Sequence, residues 1–255
     1  MSAAIEFRGV AVATAQGRPL LEAVSLALEE GSTTVLLGRS GAGKTTLLRT
    51  VNRLIMPTSG HILIHGKCVA RQDLIALRRG IGYVIQETGL FPHFTIERNV
   101  GLVLEAQGRN SAERNRRSRE LLDAVGLDPE TFARRYPHQL SGGQRQRAGL
   151  ARALAADPKI LLMDEPFGAL DPLTRREMQE MMLALLTRLR KTVLLVTHDL
   201  DEALYLGNRI VLLEKGRVVA DLSAGEFLVS NQPEVEAYAH AFRHSGQKAN
   251  GARAH

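Results

Sequence analysis

The residues best suited to chemistry begin at Gly38-Arg39-Ser40-Gly41-Ala42-Gly43-Lys44-Thr45, followed by Thr46, directly after the apolar run Thr33-Thr34-Val35-Leu36-Leu37. This is a full phosphate-loop pattern in its required context, a strand before it and a helix predicted from Lys44. Glycines let successive backbone N–H groups turn inward around phosphate oxygens, and the helix adds its positive N-terminal end. In such a loop Lys44 bridges the β- and γ-phosphates of a nucleotide and Thr45 offers its hydroxyl to Mg²⁺. A second feature is Ile160-Leu161-Leu162-Met163-Asp164-Glu165, two carboxylates at the end of an apolar run. Taken alone they read equally well as two solvated strand-end acids; beside a phosphate loop, Asp164 reads as the Mg²⁺-shell carboxylate and Glu165 as the general base for water. The third is Leu140-Ser141-Gly142-Gly143-Gln144. Here Ser141 caps a helix and leaves glycine N–H groups exposed at its positive end, a second phosphate-binding device or an ordinary capped helix.

These groups need a scaffold. Residues 5–12 and 20–28 alternate with period two around Gln16-Gly17, which predicts an antiparallel hairpin. Residues 33–37, 81–85, 160–163 and 193–196 are short continuous apolar runs, as expected of strands covered on both faces in a parallel sheet. Met178, Met181, Met182, Leu185 and Leu189 mark one apolar stripe on a helix over about 172–190, read as core packing. Between about 95 and 140 no buried strand is visible, only helical stretches broken by Gly108, Gly126 and Pro137, which predicts a helical subdomain inserted into the core. The expected domain is residues 1–242. From 243 the chain turns polar, small and basic, which predicts a disordered tail over 243–255.

Composition narrows the function. Hydrophobic residues at 44% and charged residues at 24% are ordinary globular usage, and the 4% aromatic content argues against an aromatic binding surface. The single Cys68 makes no intrachain disulfide and has no metal-spaced neighbour, so it reads as a small packed side chain. The net charge of +6 invites a nucleic-acid reading, but the densest basic run, 109–119, is interrupted by Glu113 and has no interleaved aromatic for base stacking. It reads as a solvated helix face, and no nucleic-acid partner is expected. Apolar runs fall far short of the roughly 20 residues a membrane helix needs, and the N-terminus lacks a secretion-signal pattern. An intracellular chain is expected.

The phosphate loop, Gln86 after a strand, Leu140 to Gln144, Asp164-Glu165, Ala169-Leu170-Asp171 and His198 after the 192–197 run stand in the order of an ABC-type ATPase. About residues 5–230 resemble that family. The resemblance implies an α/β fold: an ABC-type P-loop ATPase core with a mainly parallel sheet, an N-terminal antiparallel β subdomain and the inserted helical subdomain. It implies a head-to-tail homodimer in which Ser141, Gly142 and Gly143 of one subunit close on the ATP and Mg²⁺ held by Lys44 and Thr45 of the other. It assigns Gln86 to Mg²⁺ and water, with its loop against the permease, His198 to the γ-phosphate and Asp171 to signalling between subunits. By themselves Gln86 is a loop amide and His198 a strand-end histidine. Two departures stand out: Thr14 occupies the position where the family pattern places an aromatic against adenine, which predicts loose nucleobase selectivity, and Arg39 replaces a frequent Pro, with a surface role.

The segments Asn52-Arg53-Leu54-Ile55, Gly89-Leu90-Phe91-Pro92-His93 and Thr197-His198-Asp199-Leu200-Asp201-Glu202 are similar to the ATPases of quaternary-amine importers, which carry glycine betaine, choline, carnitine or proline betaine. That resemblance implies a peripheral subunit on the cytoplasmic face of the cell membrane, partnered by integral permease subunits and, indirectly, a substrate-binding protein. With about 25 residues after Ser230, a paired regulatory domain is not expected. The alternatives are the same engine for a polyamine, amino acid or sulfonate, and a non-transport ABC ATPase. A GTPase or kinase would lack a use for Ser141 to Gln144, and no Asn-Lys-x-Asp guanine motif occurs.

Overall fold

The computed structural model describes residues 3–86 and 88–251, of 243–251 the backbone only. In chain order the elements are β1 (Ala3–Ala13), β2 (Pro19–Glu29), β3 (Thr33–Leu37), α1 (Lys44–Val51), β4 (Ser59–Ile64), β5 (Lys67–Cys68), α2 (Leu74–Arg79) and β6 (Ile81–Val84). Helices α3 (Ile96–Ala106), α4 (Ser111–Ala124), α5 (Pro129–Phe132) and α6 (Gly142–Leu154) lead to β7 (Ile160–Asp164), α7 (Pro172–Leu189) and β8 (Thr192–Thr197). The chain ends with α8 (Leu200–Leu206), β9 (Arg209–Glu214), β10 (Arg217–Ser223), α9 (Ala224–Val229) and α10 (Pro233–Gly251). Two compact units divide it: Met1–Ala70 with Leu194–His255, and Arg71–Val193.

The first unit holds two sheets. One is antiparallel with order β2-β1-β4-β5, and it contains the expected hairpin: Ile5 pairs with Leu28 and Val12 with Leu21. Thr14 closes the turn, donating its N–H to the Arg18 carbonyl at 2.9 Å and accepting the Arg18 N–H on its hydroxyl at 3.2 Å. The other sheet runs β10-β9-β3-β8, with β3 parallel to β9 and β9 antiparallel to β10. Every residue of β3 and β8 is buried, so the continuous apolar runs are what a strand covered on both faces requires. Phe7, Leu36, Leu47 and Leu48 supply core volume. Sequence reading did not place β4 with β5 or β9 with β10. Their signal is the dipeptides His65-Gly66 and Lys215-Gly216, both at positive φ, the two-residue turn whose twist matches a hairpin.

In the second unit β7 pairs parallel with β6, Ile81 beside Ile160 and Val84 beside Met163. The elements between residues 95 and 140 are all helical. Each long helix starts on a side-chain cap: Thr95 for α3, Asn110 for α4, Asp171 for α7. On α7, Met178, Met182 and Leu185 are buried while Met181 and Leu189 are half-buried, so the stripe is core. Helix α10 extends to Gly251, into the stretch for which the sequence predicts a disordered tail; the side chains of 243–251 and residues 252–255 lie outside the described residues.

Helix-start carboxylates give these units an acid limit. Hydrogen bonds from Thr131 to Asp128, from Thr174 to Asp171 and from Ser223 to Glu226 hold all three carboxyls below their ordinary values of 3.8, 3.8 and 4.5. Stability that depends on a depressed carboxyl is complete above the unfolded-state value and is lost as pH falls through the folded-state value. The thermal midpoint is therefore expected to stay level from neutrality to about pH 5 and to drop below about pH 4. Melting followed by circular dichroism across that range checks it, and a midpoint that rises on acidification contradicts it.

Candidate functional site

The first unit positions the phosphate loop. Strand β3 delivers the chain to Gly38, and α1 begins at Lys44 after Gly43 at φ 100°, a left-handed conformation open to glycine. Lys44 is buried, and its Nζ donates to the carbonyls of Gly38 at 2.8 Å and Arg39 at 3.0 Å. The ammonium is thereby held over its own loop, at the point where phosphate oxygens can exchange with carbonyl oxygens. Ala42 N–H bonds the Arg39 carbonyl, and Gly216 N–H bonds the Ala42 carbonyl at 3.0 Å, tying the loop to the β9–β10 turn. Arg39, Ser40 and Gly41 are exposed; Thr45 and Thr46 are half-buried. A Cβ on Gly38 would stand 2.4 Å from the Leu213 carbonyl oxygen, a backbone atom with little freedom to retreat. Gly38→Ala is expected to cost about 3 kcal/mol of stability and to weaken nucleotide binding, measured by urea unfolding and by ATP titration. Wild-type values for both would show that the loop can move away from β9.

His198, also of the first unit, stands exposed between β8 and α8 with its flanks fixed. Thr197 donates its hydroxyl to the buried Glu202 carboxylate at 2.6 Å and accepts the Asp199 N–H at 3.0 Å, while Asp199 accepts the Glu202 N–H at 3.1 Å. The His198 carbonyl accepts the Tyr238 hydroxyl of α10 at 2.7 Å. Sequence reading singled out His198 but neither Glu202 nor Tyr238 as its supports. Glu202 carried a local signal, a carboxylate four residues on at the start of a helix; Tyr238 carried none.

The second unit gathers Gln86, Asp164 and Glu165. A Cβ placed on Gly168 would lie 3.4 Å from Gln86 Nε2 and 3.7 Å from Glu165 Oε2, so the amide and the carboxylate converge on one spot. Glu165 has φ 47°, an unfavourable conformation for a side-chain-bearing residue, of the kind that persists where surrounding structure dictates it and that clusters at functional sites. Asp164 ends β7 buried at 6% exposure, with its Oδ2 accepting the Tyr83 hydroxyl of β6 at 3.3 Å. Tyr83 lay outside the sequence prediction, three residues before Gln86. The backbone at Thr88 and Gly89 is clamped by Arg152 of α6, which donates to both carbonyls at 2.7 Å. Burial lowers the Arg152 guanidinium from its ordinary value, yet Arg carries its charge at every pH the fold meets.

Ser141, Gly142, Gly143 and Gln144 start α6 in the same unit. Ser141 Oγ accepts the Gln144 N–H at 3.3 Å and Gln144 Oε1 accepts the Ser141 N–H at 3.0 Å, a reciprocal capping box. The Ser141 hydroxyl accepts in this bond, so its own proton remains to donate. Ser141 and Gly142 are exposed, whereas a Cβ on the buried Gly143 would meet the Thr174 methyl at 2.4 Å. Asp171 caps α7 through Thr174, 3.1 Å away. Gln86 and Asp164 offer an amide oxygen and a carboxylate, and Thr45 of the first unit a hydroxyl, each a hard oxygen donor of the type Mg²⁺ accepts.

Strand, glycine loop and helix, with carboxylates closing a buried parallel strand, define a phosphate-loop α/β protein. The chain belongs to the ABC transporter family, whose pattern matches residues 21–168. It is 52% identical to the osmoprotectant import ATP-binding protein OsmV of Salmonella typhimurium, over 84% of this chain and 56% of that one. It is 50% identical to the glycine betaine/carnitine/choline transport ATP-binding protein OpuCA of Bacillus subtilis, over 80% of this chain and 53% of that one. The chain thus spans about half the length of the curated relatives it matches. Among solved structures, a dimeric post-hydrolysis state of an ATP-binding cassette bound to ADP and Pi superposes with a TM-score of 0.77 at 35% identity, covering 86% of this chain and 98% of that one.

Proposed function

We propose that this chain is the ATP-hydrolysing subunit of an importer for osmoprotectants of the quaternary-amine class, such as glycine betaine or choline. The observation that carries the enzymatic part is the convergence of Gln86 and Glu165, the latter at φ 47°, in a chain that also holds Lys44 over a phosphate loop. The relatives' described cargoes carry the rest.

Lys44 exchanges its two carbonyl partners for β- and γ-phosphate oxygens, and the backbone N–H groups of 38–46 surround the phosphates. Thr45, Asp164 and Gln86 would hold Mg²⁺, which would offset negative charge on the phosphate oxygens. Glu165 accepts a proton from water as its oxygen bonds to the γ-phosphorus and the bond to the β–γ bridging oxygen breaks, releasing ADP and phosphate. His198 donates to the γ-phosphate. Ser141 and Gly142 of a second copy complete the site with a hydroxyl proton and N–H groups at a helix start, so the working form is a dimer. With the Thr14 hydroxyl engaged in its turn and no aromatic ring at that position, the base is held loosely and GTP is expected to compete.

A permease partner fits the loop after Gln86. Asn99 is buried and accepts the Phe91 N–H at 2.7 Å while donating to the carbonyls of Phe91, Phe94 and Thr95, so the backbone of 91–95 is pinned. Phe91 is 42% exposed beside His93 and Phe94, an apolar edge suited to a partner's helix. In this reading the chain works at the cytoplasmic face of the membrane; no helix among the described residues is long and apolar enough to cross one. The test is uptake of labelled glycine betaine and choline by cells lacking their own systems and expressing the chain with its permease and binding protein. Uptake that is lost with Glu165→Gln supports the reading; no uptake by an assembled wild-type complex refutes this cargo.

A further inference from the structure

We infer that Tyr238, in the C-terminal helix α10, is a positioning residue for His198 and sets the rate of hydrolysis rather than the affinity for nucleotide. The inference rests on the γ-phosphate role proposed for His198. The observations behind it lie wholly within the first unit. Helix α10 is anchored by Val235, 1% exposed, and the next turn brings the Tyr238 hydroxyl to 2.7 Å from the His198 carbonyl oxygen. The same helix forms one wall of a cavity of 320 Å³ whose other walls include Arg39, Ser40, Gly41 and Lys215, so Tyr238 lies beside the phosphate loop and bonds the histidine segment at once.

The His198 peptide is thereby held from both sides. Upstream and downstream, Thr197, Asp199 and Glu202 form a closed set of hydrogen bonds that fixes the path of the backbone into α8. That set bonds the Asp199 N–H of the peptide plane after His198, and the Tyr238 hydroxyl bonds the carbonyl of the same plane, so both of its polar ends are held. Loss of the carbonyl bond loosens one end of that peptide, and any displacement of the His198 Cα carries the imidazole with it. A histidine that must donate to an oxygen whose charge grows in the transition state loses rate when its geometry loosens, while ground-state binding through Lys44 and the loop amides is unaffected.

The test uses the purified full chain and compares wild type, Tyr238→Phe, His198→Ala and the double variant, by steady-state phosphate release, ATP titration and thermal melting. Removal of one neutral hydrogen bond is expected to lower kcat about three- to tenfold in Tyr238→Phe with KM and melting midpoint near wild type. In the His198→Ala background the same substitution is expected to have no further effect, since the residue through which it acts is gone. A wild-type kcat for Tyr238→Phe with a slow His198→Ala overturns the inference and leaves the histidine role standing. Equal slowing by Tyr238→Phe in both backgrounds also overturns it, since the tyrosine then acts elsewhere. A wild-type kcat for His198→Ala overturns the histidine role itself and the inference with it.

Discussion

Glu165→Gln is expected to lower ATP turnover by at least about a hundredfold while nucleotide affinity stays within about twofold of wild type. The substitution keeps size and shape but removes the carboxylate charge and its ability to accept a proton from water, so in the proposed mechanism the transition state loses far more than the ground-state complex. The left-handed backbone of Glu165 and its approach to Gln86 around Gly168 give the carboxylate a defined place beside that amide. Without hydrolysis, ATP and Mg²⁺ should hold two copies together, visible as a dimer by size-exclusion chromatography. A variant that stays monomeric with ATP and Mg²⁺ would contradict the proposed composite site, and one with full turnover would remove Glu165 as the base.

Lys44→Ala is expected to act at the other step. In the proposed binding mode it deletes the charge that meets the β- and γ-phosphates, a charge-assisted contact of about 3 kcal/mol, and should raise the dissociation constant for ATP about a hundredfold. Because Lys44 Nζ is bonded to the Gly38 and Arg39 carbonyls, some loosening of the loop is expected too, but the β3 and α1 backbone bonds do not depend on it. Titration with a fluorescent ATP analogue, alongside circular dichroism to verify folding, measures the effect. Equal loss of binding in Lys44→Ala and Glu165→Gln would contradict the division of roles, since one group is assigned to the ground state and the other to the transition state.

Local chemistry was legible in the sequence because its signals are contiguous. The loop from Gly38 to Thr45 needs its glycines and lysine at fixed spacing, Ser141 needs Gln144 three residues on for its capping box, and the runs that became β3, β7 and β8 are apolar without alternation because both faces are covered. The pairs β4–β5 and β9–β10 were less legible. Strands of two to seven residues carry weak periodicity, and their turn dipeptides include only one glycine each.

Sequence by itself determined the fold class, the phosphate loop, the capped start of α6 and the two carboxylates that end β7. Tertiary structure alone decided how those groups are held: Tyr83 on Asp164 from 81 positions away, Arg152 on Thr88 from 64, and Tyr238 on His198 from 40. A hydroxyl or guanidinium finds such a partner only after strands and helices have packed, and no spacing rule connects residues brought together by a fold. The same division applies to Glu165, whose identity was readable as a strand-end acid but whose left-handed backbone arises from packing around it.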